Sequence, residues 1–283
     1  MSSDTDPSPT SYREILGLEI EEGLSQLQRS SVGLALSGLS AGLDIGFGPF
    51  LMAVVFTMSS GAFSDPVTGI LVANAYAVGF IFVVVGRSEL FTEHTSLAVV
   101  PVLNGQASVV DLARLWGIIY VFNLIGGTIF AALAVHIGPQ LATIDPSAFR
   151  QIASGLVHYS WSTMLLAAVL AGWLMGLMTW LVAAGRNTIS QAFFVWLVAV
   201  VIGLAHLPHS IAGSVEVLLG VFSSSAITVS DFGHFLLWST IGNVVGGSVF
   251  VGLLKYGHGI YGGTDPEDID VDVDGGSAGR ESG

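Results

Sequence analysis

Apolar residues run along this chain in long blocks, and polar residues interrupt the blocks at two places where a membrane-crossing helix ought to continue. A helix needs about 20 residues to traverse the hydrocarbon core of a bilayer. Five runs meet that length, at 32–58, 67–85, 116–137, 161–184 and 235–256. A sixth crossing is predicted over 188–221. No Asp, Glu, Lys or Arg occurs between Arg186 and Glu216, yet the centre reads Gly203-Leu204-Ala205-His206-Leu207-Pro208-His209-Ser210. Pro208 lacks an amide hydrogen and clashes with the preceding turn, so a helix from Thr188 should stop near Leu204 and restart after His209. The second run is broken as well, since the polar stretch from Gly86 to His94 separates it from a shorter apolar piece at 95–103. Non-helical backbone survives at membrane depth where protein buries it or where it lines a cavity, so two such breaks beside an ionisable ring predict a pathway.

An internal repeat ties the breaks together. Asn123-Leu124-Ile125-Gly126-Gly127 recurs 120 positions later as Asn243-Val244-Val245-Gly246-Gly247, and Ala41-Gly42 with Gly46 is matched by Ala171-Gly172 with Gly176. Three crossings per unit place the second unit upside down relative to the first. The prediction is an all-α membrane protein of six transmembrane helices in an inverted 3+3 repeat, with broken second and fifth helices and a pathway at the repeat interface. The paired small residues let neighbouring helices approach closely.

Composition agrees with this pattern: 52% of residues are hydrophobic and 10% charged, with mean hydropathy +0.75. No cysteine is present, which excludes disulfides and thiolate metal sites. The net charge of −13 is concentrated at the ends, where residues 1–30 and 265–283 hold 13 of the 21 acids. Such an acidic balance suits a high-salt interior and gives no surface for nucleic acid. Three regions follow: an acidic N-terminal arm at 1–30, a channel domain at 31–258, and an acidic tail at 259–283 expected to be disordered. The N-terminus has no signal peptide pattern. Arg13, Arg29, Arg114, Arg186, Lys255 and Arg280 fall on one side, with Arg150 opposite. The positive-inside rule then puts both termini in the cytoplasm of a cell membrane.

Among residues that carry chemistry, His209 leads, because imidazole changes charge near neutral pH. Thr92 is placed to hold His209 across the pore, and Glu89 sits in the first break with Arg87 available to neutralise it. Tyr76, Phe80 and Phe91 are candidate constrictions. Asp44 and Glu216 are intramembrane acids, each as well suited to a helix end as to transport. His206 reads as a loop-lining residue. A metal site built from His206, His209, Glu93 and His94 matches no recurring ligand spacing, so no metal and no cofactor is expected.

Glu89-Leu90-Phe91-Thr92, Trp116 through Gly126, Gly185-Arg186, His209-Ser210-Ile211-Ala212 and the duplicated Asn-x-x-Gly-Gly, in this order over about residues 20–258, resemble the formate/nitrite transporter family. The resemblance implies an aquaporin-like fold, a homopentamer with one pore per subunit, and passage of small monovalent anions such as formate, nitrite or hydrosulfide. By position it makes His209 the central pore histidine and Thr92 its hydroxyl partner. It places Leu90 and Phe91 in a gating loop and Tyr76 and Phe80 at constrictions. Gly172, Leu156 and Ile202 stand where many members carry an asparagine, a lysine and a bulky aromatic. The function expected is a channel, not an enzyme, for such anions or their conjugate weak acids, with His209 as proton relay. A neutral-solute channel and a His/Glu metal-binding membrane protein are the alternatives.

Overall fold

The computed structural model describes residues 10–262, so the expectation for the acidic tail at 259–283 lies almost wholly outside the described residues. The chain is helical: α1 (Tyr12–Gln28), α2 (Ser31–Ile45), α3 (Phe47–Ser59), α4 (Asp65–Val85), α5 (Phe91–Leu97), α6 (Val99–Leu103), α7 (Val109–Ile137), α8 (Pro146–Val157), α9 (Trp161–Ala184), α10 (Thr188–Leu204), α11 (Ala212–Ser223), α12 (Val229–Val245) and α13 (Leu254–Tyr261), with a π-helical stretch (Gly246–Leu253) between the last two. Among the described residues five helical stretches are long and apolar enough to cross a membrane, and the short apolar helices α10 and α11 stand on either side of the second break.

Helix starts are set by side-chain caps that compensate the unpaired amides of a first turn. Ser108 and Asp111 form a capping box at α7, and Thr228 and Asp231 form the same box at α12, 120 positions on. Ser30 caps α2 and Ser160 caps α9. The tight packing also pairs off. A Cβ on Gly42 would collide with the Asn123 carbonyl, and one on Gly172 with the Asn243 carbonyl. A Cβ on Gly126 would enter the backbone of α2 at Leu39 and Leu43, and one on Gly246 that of α9 at Val169 and Trp173. In lipid, where apolar burial between helices has little driving force, such backbone approach is what holds helices together.

The hydropathy pattern located the first crossing as one run, whereas the structure breaks it at Gly46 into α2 and α3. A Cβ on Gly46 would collide with the Phe130 ring, so the break accommodates close packing against α7. The third and sixth helices begin at Val109 and Val229, earlier than the apolar runs, because their polar first turns are capped. The N-terminal arm holds an ordered element: α1 buries Leu16, Ile20 and Leu24, and a Cβ on Gly23 would sit against Pro101 of α6. Two of the cations counted for the orientation lie beside it. Arg114 Nη1 donates to the Arg29 carbonyl at 3.2 Å, and the Lys255 ammonium lies 5.2 Å from the Trp180 ring centroid, beside Tyr12.

Candidate functional site

The two breaks are built alike. Each preceding helix ends in a residue with left-handed backbone, Arg87 at φ 60° after α4 and His206 at φ 49° after α10. The next amide folds back over the helix end, Ser88 N–H to the Val83 carbonyl at 3.1 Å and Leu207 N–H to the Ile202 carbonyl at 3.0 Å. This is the closing turn that glycine usually occupies. His206 is therefore an exposed helix-terminating residue, whereas His209 is buried.

Each extended segment that follows is held by one asparagine. Asn123 Nδ2 donates to the Gly38 and Glu89 carbonyls at 2.8 and 2.9 Å, and its Oδ1 accepts from Phe91 N–H at 2.8 Å. Asn243 Nδ2 donates to the Ala168 and Pro208 carbonyls at 2.8 and 3.0 Å, and its Oδ1 accepts from Ser210 N–H at 2.7 Å. The residue between the two tethered positions is Leu90 in one break and His209 in the other. Both are buried.

Thr92 and His209 meet from opposite breaks, Oγ1 to Nε2 at 2.7 Å. The other ring nitrogen, Nδ1, accepts from Ala212 N–H at 3.1 Å and Ile211 N–H at 3.3 Å, the free amides at the start of α11. Those amides can only donate, so the proton of the ring is on Nε2 and His209 donates to Thr92. The Thr92 hydroxyl hydrogen then has no acceptor among the described residues. Phe80 stands edge-on to the imidazole at 5.1 Å between centroids, and Tyr76 follows at 5.0 Å from Phe80. Phe91 turns to α7 instead, packing on Tyr120 at 4.9 Å and Trp116 at 6.0 Å.

Glu89 is paired by Arg29, not by Arg87: Arg29 Nη1 lies 2.7 Å from Oε1, and His94 Nε2 lies 2.6 Å from Oε2. Arg29 follows α1 directly, so the arm's end clamps the first break, a contact 60 residues apart in sequence that no local pattern signals. Asp44 accepts from Ser40 and Ser88 at 3.0 and 3.3 Å and so fixes the same break from α2. On the α1 side a cavity of about 500 Å³ opens, lined among others by Glu19, Glu22, Arg87, Glu89, Glu93 and His94. In α1, burial pushes the Glu19 carboxyl up to about 8, against the opposing hydrogen bond from Thr179 at 3.2 Å. No group of three or more His, Cys, Asp or Glu side chains that could hold a metal ion occurs among the described residues.

A helix bundle whose two interrupted helices bring a hydroxyl and an imidazole together in its interior is the architecture of a membrane channel or transporter. The chain belongs to the formate/nitrite transporter family, whose model matches residues 13–257. It is 31% identical to the inner membrane protein YfdC of Escherichia coli over 246 residues, 83% of this chain and 75% of that protein. It is 29% identical to the nitrite transporter NirC of Salmonella typhimurium over 228 residues, 78% of this chain and 81% of that one. Among solved structures it is similar to an FNT family ion channel, with TM-score 0.78 and 23% identity over 86% of this chain and 97% of that chain. A pentameric formate channel with formate bound matches with TM-score 0.66 and 23% identity, over 80% of this chain and 96% of that chain. Family membership makes this a multi-pass membrane transport protein rather than an enzyme.

Proposed function

We propose that the chain forms a pore for small monovalent anions or their conjugate weak acids, of the formate, nitrite or hydrosulfide class, with passage at the Thr92–His209 pair. The observation that carries this reading is the 2.7 Å contact between Thr92 Oγ1 and His209 Nε2, made from two separate chain breaks. A bare anion in a dry constriction is costly, and its neutral acid crosses at far lower cost. The Thr92 hydroxyl, with its hydrogen unused, offers an anion a donor in the interior, and the positive end of α11 points to the same place. The arrangement is the donor state of His209. A proton relay through the ring requires Nδ1 to take up a proton, which means releasing the Ile211 and Ala212 amides. Surrender of the Nε2 proton alone would leave an imidazolate.

The matching caps, glycine contacts and asparagine tethers, all at offsets of about 120 to 130 positions, support an inverted 3+3 repeat. The cations beside α1 support termini in the cytoplasm. A homopentamer is proposed by analogy with the solved formate channel. The second reading, a neutral-solute channel, is favoured by the carboxylates around the 500 Å³ cavity, which would repel anions. Proteoliposome uptake of radiolabelled formate, nitrite and hydrosulfide against glycerol, at two pH values, separates the two. His209→Asn should abolish the pH-dependent part of weak-acid uptake in an intact oligomer. Glycerol flux without weak-acid flux would establish the second reading.

A further inference from the structure

The two helices that carry the Asn-x-x-Gly-Gly motif part company just after it. In the first unit α7 runs on as a regular α-helix through Gly127, whereas the chain from Gly246 to Leu253 is π-helical. A π turn admits an extra residue and so brings a different set of later residues to the packed face. Ser248 is half-buried and Gly252 buried, while Thr128 and Ala132, their counterparts 120 positions earlier, are exposed. The hydroxyls differ accordingly. Thr128 Oγ1 donates to the Leu124 carbonyl of its own helix at 2.7 Å, and Ser248 Oγ reaches across to the Thr95 carbonyl of α5 at 2.7 Å.

Close packing makes that reach possible: a Cβ on Gly247 would collide with the Thr95 side chain, and one on Gly252 would press on Val99. The helix α5 has seven residues, and the last four carbonyls of a helix, Thr95 among them here, have no partner within it. Ser248 supplies one. Thr95 Oγ1 in turn donates to the Thr92 carbonyl at 2.7 Å, while Asn123 accepts from the Phe91 amide at 2.8 Å. Thr92 is thereby held on both sides, by the third helix ahead of it and, through Thr95, by the sixth behind it. Its own hydroxyl meets His209. In the second break the position 120 residues beyond Thr95 is Val215, which offers Gly127 only a methyl group. The hydroxyl relay therefore exists at one break, the one that supplies the hydroxyl of the Thr92–His209 pair.

Resting on the pore reading above, we propose that Thr95 and Ser248 are positioning residues: the π-helical stretch seats the Ser248 hydroxyl on α5, and Thr95 passes that restraint to Thr92, whose hydroxyl is thereby aimed at His209. Neither residue touches the solute. Each acts by narrowing the orientations of one hydroxyl, so each matters to transport only while that hydroxyl is present.

The test is solid-state NMR of the oligomer in proteoliposomes, with histidine labelled at its ring nitrogens, alongside equilibrium exchange of radiolabelled formate. The chain has seven histidines, and His209→Asn identifies the resonances of His209. Thr92→Val gives the Nε2 shift without a hydroxyl partner. Thr95→Val and Ser248→Ala should move Nε2 toward that value, and Thr95→Ser, which keeps the hydroxyl, should hold it at the wild-type value. A wild-type Nε2 shift in both Thr95→Val and Ser248→Ala overturns the proposal and leaves the pore reading intact. Should Thr95→Val fail to assemble, Ser248→Ala carries the test, since the position is half-buried and alanine favours a helix. Formate exchange should fall about 5- to 10-fold in each variant, the size of one buried hydrogen bond, and should fall no further when either change is added to Thr92→Val. An equal loss with and without the Thr92 hydroxyl marks a general structural role and overturns the proposal. Absence of formate exchange by wild type overturns the pore reading instead, and the Nε2 shifts then decide the positioning of Thr92 by themselves.

Discussion

Asn123 and Asn243 hold the two broken helices in the same way, each spending both amide hydrogens on carbonyls and its oxygen on one backbone amide. One carbonyl in each set lies on a neighbouring helix, Gly38 on α2 or Ala168 on α9, and the other lies in the break itself, Glu89 or Pro208. An extended segment inside a bilayer has no water to satisfy its backbone, so these side chains supply what a helix would have supplied. The Thr92–His209 contact depends on them, because Phe91 and Ser210, the tethered amides, adjoin Thr92 and His209.

Replacing either asparagine with alanine strips partners from three buried backbone groups at once. Asn123→Ala and Asn243→Ala should each lose about 3 kcal/mol or more of stability, whereas Thr128→Ala, exposed on α7, should lose little. Thermal melting in detergent, followed by size-exclusion chromatography, reads the difference. Wild-type melting of both asparagine variants would show that the tethers are dispensable.

Glycine substitutions should rank by what the added carbon meets. Gly126→Ala and Gly246→Ala drive a methyl into backbone of α2 and α9, which cannot swing away, and should cost about 1–3 kcal/mol. Gly127→Ala meets the Val215 Cγ2 methyl, 2.9 Å from the added carbon, and a side chain can rotate. It should be milder. Leu133→Ala, at a residue 52% exposed, should be mildest of all. The order of melting temperatures checks this.

Thr92→Val keeps the side-chain shape and removes the hydroxyl that meets His209 and that, in the proposed pore, donates to the solute. Loss of a donor to a charged group predicts weak-acid flux lower by about 10- to 100-fold, in a protein that still assembles. Flux near wild type would mean that solute bonds to His209 without Thr92.

The α1 helix should loosen as pH rises. Docked, the Glu19 carboxyl keeps its proton up to about pH 8, while a released, solvated one loses it near 4.5. Below about 4.5 both forms are neutral and docking is unhindered. Between 4.5 and 8 the released form gains by ionising, so docking weakens progressively and levels off above 8. Because the chain has no cysteine, Leu24→Cys, at a buried position of α1, reports release by maleimide labelling. Its rate relative to an exposed control cysteine should climb from pH 5 to pH 8, and Glu19→Gln should flatten the climb.

Sequence alone determined the long apolar runs, the two breaks and the duplicated motif, because each has a local cause. Apolar length answers to bilayer thickness, Pro208 cannot continue a helix, and a duplicated Asn-x-x-Gly-Gly is visible without coordinates. The stop at Leu204 is legible for that reason. What only the tertiary structure decided are the partners. Arg29 rather than Arg87 meets Glu89, because the arm folds back onto a segment far along the chain, while Arg87 is turned aside by its left-handed backbone. His206 and His209 look alike in sequence, three positions apart and flanking Pro208, yet one closes a helix and the other enters the interior. That separation is made by the asparagine tether and the free amides of α11, groups whose geometry exists only once the helices have packed.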